Sequence, residues 1–178
     1  MGMTLSRIWN WTFNRRKHWK ILMVGLNGVG KATILNRLRL GNVYATTTGV
    51  GLNVTRVDYH NLTINVFDVG EEKSLRVFWG HFTQGVDAVI YVVDAADSDG
   101  MQVAREELEA VLETVDDPTT PVVVMANKQD LPRALPASEV TQALRMTQHG
   151  RPWRVVATCA TNLQGVDDAF DWLSQVVK

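Results

Sequence analysis

Beyond residue 18 the chain alternates short apolar runs with stretches whose apolar residues recur every three or four positions. Runs of the first kind predict strands and the second kind predict helices. Residues 20–24 predict a first strand. Residues 31–40 predict a helix with Ile34, Leu35 and Leu38 inward and Gly41 at its stop. Residues 42–51 are polar, threonine-rich and glycine-containing, and predict a loop. Residues 52–59 and 62–68 predict two strands turning at His60-Asn61. Residues 69–82 read as irregular. The run at 86–94 is apolar apart from Asp87 and its closing Asp94, as in a strand buried on both faces. Residues 101–115 carry Met101, Ala104, Leu108, Val111, Leu112 and Val115 at helical spacing. A buried strand at 121–126, a shorter helix at 136–146 and a last strand at 153–158 follow. A closing helix over 165–177 turns Val166, Ala169, Phe170, Leu173 and Val176 inward.

Strands alternating with helices predict an α/β fold with helices on both faces of a mostly parallel, six-stranded sheet. The strands at 52–59 and 62–68 are joined too tightly for a crossover, so one edge strand is antiparallel. Ligands in such folds sit at the carboxyl ends of the strands.

Composition narrows the class. The 178 residues suit one domain, and 46% apolar with 21% charged residues is ordinary for a soluble globular protein. No apolar run reaches the roughly 20 residues of a spanning helix, and no secretory signal is evident. The single cysteine, Cys159, excludes an internal disulfide and suggests a reducing compartment. Charge is unevenly placed. Residues 1–57 hold nine Lys/Arg and no Asp or Glu, whereas the rest hold nine basic and 19 acidic residues. Arg15, Arg16, Lys17 and Lys20 form a cluster that suits an anionic membrane, a nucleic-acid arm or a solvated surface.

What precedes the cluster favours a membrane. Gly2 and Ser6 fit the myristoylation pattern, and Leu5, Ile8, Trp9 and Phe13 form one helical stripe. One acyl chain binds membranes marginally, and a stripe with a polybasic segment supplies the second signal. The plainer alternative is an amphipathic helix packed on its own domain. Residues 1–18 therefore read as an arm whose residues 2–20 meet anionic lipid, and 19–178 as the globular domain, with no nucleic-acid partner.

Four pieces of chemistry lie at strand ends. Gly25-Leu-Asn-Gly-Val-Gly-Lys-Ala32 sits between strand and helix, the setting of a phosphate-binding loop. Its backbone N–H groups, through Gly25, Asn27, Gly28, Val29 and Gly30, would cradle phosphates with the helix dipole, and Lys31 adds a point charge. Asp68, in Phe67-Asp-Val-Gly70, is placed to reach phosphate-bound magnesium directly or through water. Asn127-Lys-Gln-Asp130 follows a buried strand. There Asp130 can accept from the N1 and N2 hydrogens of guanine, a donor pair adenine lacks, Asn127 can bridge base and phosphate loop, and the Lys128 stem can cover a ring face. In Thr158-Cys-Ala-Thr161 the N–H of Ala160 can meet guanine O6. Each string alone is weak; four in order at strand ends point to a guanine nucleotide.

The chain resembles the ADP-ribosylation-factor and Arf-like small GTPases over nearly its whole length. The resemblance rests on Gly2, Ile21-Leu-Met-Val-Gly-Leu26, Val50-Gly-Leu-Asn-Val54, Phe67-Asp-Val-Gly70, Asp87-Ala-Val-Ile-Tyr-Val-Val-Asp94, Ala126-Asn-Lys-Gln-Asp-Leu-Pro132, Ala157-Thr-Cys-Ala-Thr161 and Asp171-Trp-Leu173. It implies the P-loop small-GTPase fold and GTP or GDP as ligand. It adds Thr33, Gly70 and Cys159 to the nucleotide contacts, and makes 42–51 and 69–82 the two switch loops. Leu52, Phe67 and Phe82 become an effector surface. It further implies an arm stowed in the GDP form and released to Golgi or other endomembrane from the cytoplasm. The implied partners are an exchange factor, an activating protein and coat or tether effectors.

The departures gather at the metal-facing half. Ala32 replaces the magnesium-binding Thr, and Gly49 stands where the first switch has its own Thr. Glu71 replaces a glycine facing the γ-phosphate, and Glu72 replaces the water-orienting glutamine. Magnesium demands near-octahedral oxygen ligation, and an ionised Glu cannot donate as an amide does. Asp68 is then left as a weak or water-mediated metal ligand, and Lys31 with Glu72 as the remaining catalytic candidates. Substitute oxygens would come from Thr33, Thr48, Glu71 or Glu72. Weak or impaired GTP hydrolysis follows. The alternative is a non-enzymatic adaptor that holds exchange factors or coat proteins at membranes.

Overall fold

The computed structural model describes residues 18–38, 42–47, 52–70 and 72–177. The arm with Gly2, the stop at Gly41, and the positions Gly49 and Glu71 lie outside them.

One sheet organises these residues, in the order β2-β3-β4-β1-β5-β6-β7. Its strands are β1 (Trp19–Leu26), β2 (Asn42–Thr47), β3 (Asn53–Tyr59), β4 (Leu62–Val69), β5 (Ala88–Asp94), β6 (Val122–Asn127) and β7 (Trp153–Ala157). β4, β1, β5, β6 and β7 run parallel, while β2–β3 and β3–β4 are antiparallel. The mostly parallel α/β architecture is therefore the one expected, but the sheet is one strand wider, and the antiparallel strand β3 lies second from the edge because β2 pairs outside it. The reading of 42–51 as a loop is corrected here: Asn42–Thr47 pairs with β3 from Asn42↔Asp58 to Thr47↔Asn53. Val43, Tyr44, Thr46 and Thr47 are strand-favouring types that the surrounding polar residues disguise.

Period-two alternation along the strands builds two cores. Ile21, Met23, Ile64, Val66, Ile90, Val92, Val123 and Met125 face one side. Helix α1 (Lys31–Leu38) covers that side with Ile34, Leu35 and Leu38, joined by α5 (Val166–Val176) with Val166, Ala169, Phe170 and Leu173. Leu22, Val24, Phe67, Val89, Tyr91, Val122 and Val124 face the other, beneath α3 (Met101–Thr114) and α4 (Ala137–Ala143). Apolar burial on both faces explains why the central strands read as unbroken apolar runs. The 69–82 stretch is more ordered than expected. It carries a 3-10 segment, Lys73–Phe78, and the short helix α2 (Gly80–Thr83). Among the described residues no helix is long and apolar enough to cross a membrane.

The β3–β4 hairpin is tied to the start of β1. Thr63 Oγ1 donates to Asp58 Oδ1 (2.7 Å), Arg56 Nε pairs with the same carboxylate (2.9 Å), and His18 Nε2 lies 2.9 Å from Thr63 Oγ1. Partial burial works against charge on Asp58, but the Thr63 hydrogen bond and then Arg56 hold its carboxyl below the usual range.

Gly165 enters α5 at φ 76°, and a Cβ there would lie 2.0 Å from the Ala157 carbonyl oxygen. Gly165→Ala is expected to cost about 2 kcal/mol or more, from left-handed strain plus a backbone clash. The midpoint of urea unfolding checks it, and an unchanged midpoint contradicts it.

Candidate functional site

The parallel strands all present their carboxyl ends to one rim. There β1 turns through Asn27–Gly30 into α1, and the first turn closes with Ile34 N–H donating to Gly30 C=O (3.0 Å). Val29 is buried and anchors the loop to the core. Gly30 has φ 107°, and a Cβ on it would sit 2.3 Å from Asn127 Nδ2. Only glycine lets the loop press this closely on the loop after β6.

Lys31 is the most buried basic residue of the site, at 6% exposure. Its Nζ donates to the carbonyls of Gly25 (2.9 Å) and Leu26 (2.7 Å) and lies 2.5 Å from Asp68 Oδ1. The register Gly25↔Asp68 places that carboxylate one strand over. A cleft of about 490 Å³ opens beside them, lined by Asn27, Gly28, Gly30, Ala32, Thr33 and Asp68 among others. Thr33 also lines a neighbouring pocket of about 150 Å³ with Asn127, Lys128, Asp130 and Ala160.

That second pocket is braced by Asn127. Its Nδ2 donates to Val29 C=O (2.8 Å), and its Oδ1 accepts from Ala160 N–H (3.0 Å) and Thr158 Oγ1 (3.3 Å). One buried amide thus joins the phosphate loop, the loop after β6 and the loop after β7. Lys128 takes φ 68°, and its Nζ pairs with Asp94 Oδ2 at 2.7 Å, which holds the stem across the rim. Asp130 is exposed and accepts from Cys159 Sγ (3.4 Å). Cys159 is buried, so its sulfur orients Asp130 from below. Asp94 was missed as a site residue. Asp94 ends the apolar run of β5, and a carboxylate in that place was the available signal.

A third cavity, about 220 Å³, is lined by Asn27, Leu52, Asn53, Asp68, Gly70 and Glu72, with Leu75 and Trp79. Glu72 is exposed and its Oε1 accepts from Ser74 Oγ (2.6 Å). Leu52 and Phe67 are buried and Phe82 is half-buried. Phe67 lies 5.9 Å, ring to ring, from both Phe82 and Trp79, so these side chains pack inward in this conformation.

The residues present offer a magnesium ion few oxygen ligands. Ala32 offers a methyl where a hydroxyl ligand is required, and the Asp68 carboxylate is held against Lys31.

A sequence model of the ADP-ribosylation factor family matches residues 5–177. The chain is 40% identical over 179 residues to ADP-ribosylation factor 1 of Brassica rapa subsp. pekinensis, covering all of this chain and 98% of that protein. It has the same identity and coverage with ADP-ribosylation factor 3 of Arabidopsis thaliana.

Proposed function

The chain belongs to the ADP-ribosylation factor family, and on that premise we propose a membrane-associated guanine-nucleotide switch of vesicle traffic that hydrolyses GTP weakly or not at all. Binding of GTP and GDP comes with the family. The observation that carries the reading is the Asn127 brace, which ties the Ala160 loop to the phosphate loop at a pocket that Asp130 also lines. Ala32 and the Ser74-bound Glu72 support impaired hydrolysis, because neither supplies the donor or ligand that the reaction uses. The stripe and basic cluster of the arm support membrane attachment through residues 2–20, with Gly2 acylated and the protein peripheral on Golgi or another endomembrane.

Purified protein is expected to carry guanine nucleotide and to show single-turnover hydrolysis that no activating protein accelerates. Restoring Ala32→Thr, Gly49→Thr and Glu72→Gln together is expected to raise that rate at least tenfold, on the order of one transition-state donor regained. Absence of any bound or exchangeable guanine nucleotide ends the reading.

The tie of Glu72 to Ser74 also favours a second reading, a non-enzymatic adaptor for exchange factors or coat proteins. Partner capture that changes strongly between GDP- and GTP-loaded protein rules that one out.

A further inference from the structure

We propose that the Lys31–Asp68 ion pair takes the place of a metal in this site, so that guanine nucleotide binds independently of magnesium and Asp68 restrains binding. The proposal rests on the guanine-nucleotide reading above. Lys31 Nζ meets the Gly25 and Leu26 carbonyls and, at 2.5 Å, Asp68 Oδ1. The two carbonyls belong to the rigid end of β1, and the Gly25↔Asp68 register fixes the carboxylate beside them. At 6% exposure for Lys31 the attraction is poorly screened, whereas Asp68, 41% exposed, also faces the cleft.

A phosphate entering that cleft must compete with Asp68 for the lysine and meets the carboxylate's like charge. In a metal-centred site the same carboxylate attracts the cation and so promotes nucleotide binding. Here Ala32 withholds the oxygen that would start such a ligand set, and Asp68 already has a cation beside it. The two arrangements therefore predict opposite signs for removing one carboxylate. Asparagine at this position leaves Lys31 to the phosphate and offers an amide donor.

The test is GDP affinity for the full chain, titrated with a fluorescent GDP in magnesium and in EDTA. The wild-type affinities are expected to agree within about threefold. Asp68→Asn is expected to bind about tenfold tighter in EDTA, equivalent to about 1.4 kcal/mol. Asp68→Ser, which also removes the charge, is expected to shift the same way, and urea midpoints verify that both variants fold. Magnesium-dependent wild-type binding, or unchanged or weaker binding by both variants, overturns the proposal. No GDP binding by wild type or variants in either buffer instead brings down the nucleotide reading beneath it.

Discussion

Asn127→Ala is expected to lose guanine-nucleotide binding and to destabilise the domain at the same time. Asn127 is 1% exposed, and its amide satisfies a buried carbonyl, Val29, and a buried N–H, Ala160, from two different loops. Alanine leaves both without that partner, at roughly 1–3 kcal/mol each. A total near 3 kcal/mol lowers the melting temperature by about 6–12 °C for a domain of this size. The binding loss exceeds what that destabilisation alone produces, because the base pocket and the phosphate loop lose their shared register. Asp130→Asn separates the two effects. Asp130 is exposed and carries no such brace, so its substitution is expected to remove the preference for guanine over adenine while leaving the melting temperature nearly unchanged. Calorimetric melting and titration with fluorescent GDP and ADP measure both. An Asn127→Ala protein that melts and binds as wild type refutes the brace.

The site was largely legible in the sequence because each piece is a short string at a strand end. Gly25–Lys31, Asp68, Asn127–Asp130 and Cys159–Ala160 meet at one rim because the strands they follow run parallel, and the alternation of strand-like and helix-like segments already implies a mostly parallel sheet. What escaped depends on tertiary partners. β2 exists because β3 offers it a pairing edge, and nothing local in a threonine-rich stretch announces that. Leu52 and Phe67 look like surface candidates by resemblance, yet Trp79 and Phe82 pack with Phe67 in the core. The Lys128–Asp94 pair links positions 34 residues apart, and spacing cannot reveal it. The same holds for the ion pair that anchors the 73–82 segment.

Arg76→Met is expected to cost about 2–3 kcal/mol, at the low end for breaking a buried ion pair because solvent reaches the arginine. Glu107 is 5% exposed on α3, and Arg76 Nη2 lies 2.5 Å from its Oε1. The Arg76 guanidinium also sits 5.7 Å above the Trp79 ring. Removing the arginine leaves a carboxylate buried beside Tyr91, whose phenol is already pushed up by burial and then by the Glu107 charge. The pair is itself incompletely satisfied: Arg76 Nε and Glu107 Oε2 have no hydrogen-bond partner among the described residues. Deleting both charges is therefore expected to cost far less than deleting one. The double variant Arg76→Met with Glu107→Gln should recover to within about 1 kcal/mol of wild type, giving a strongly non-additive cycle. Because Arg76 is an ionic tether from the Lys73–Phe78 segment to α3, the single variant should also lose hydrogen-exchange protection first at residues 73–83. Additive urea midpoints, or protection lost evenly across the sheet, would show that the tether lies elsewhere. Gly70 and Glu72 border the same cavity as Leu75 and Trp79, so a segment loosened in this way opens the rim from its metal-facing side and leaves the Asn127 brace intact.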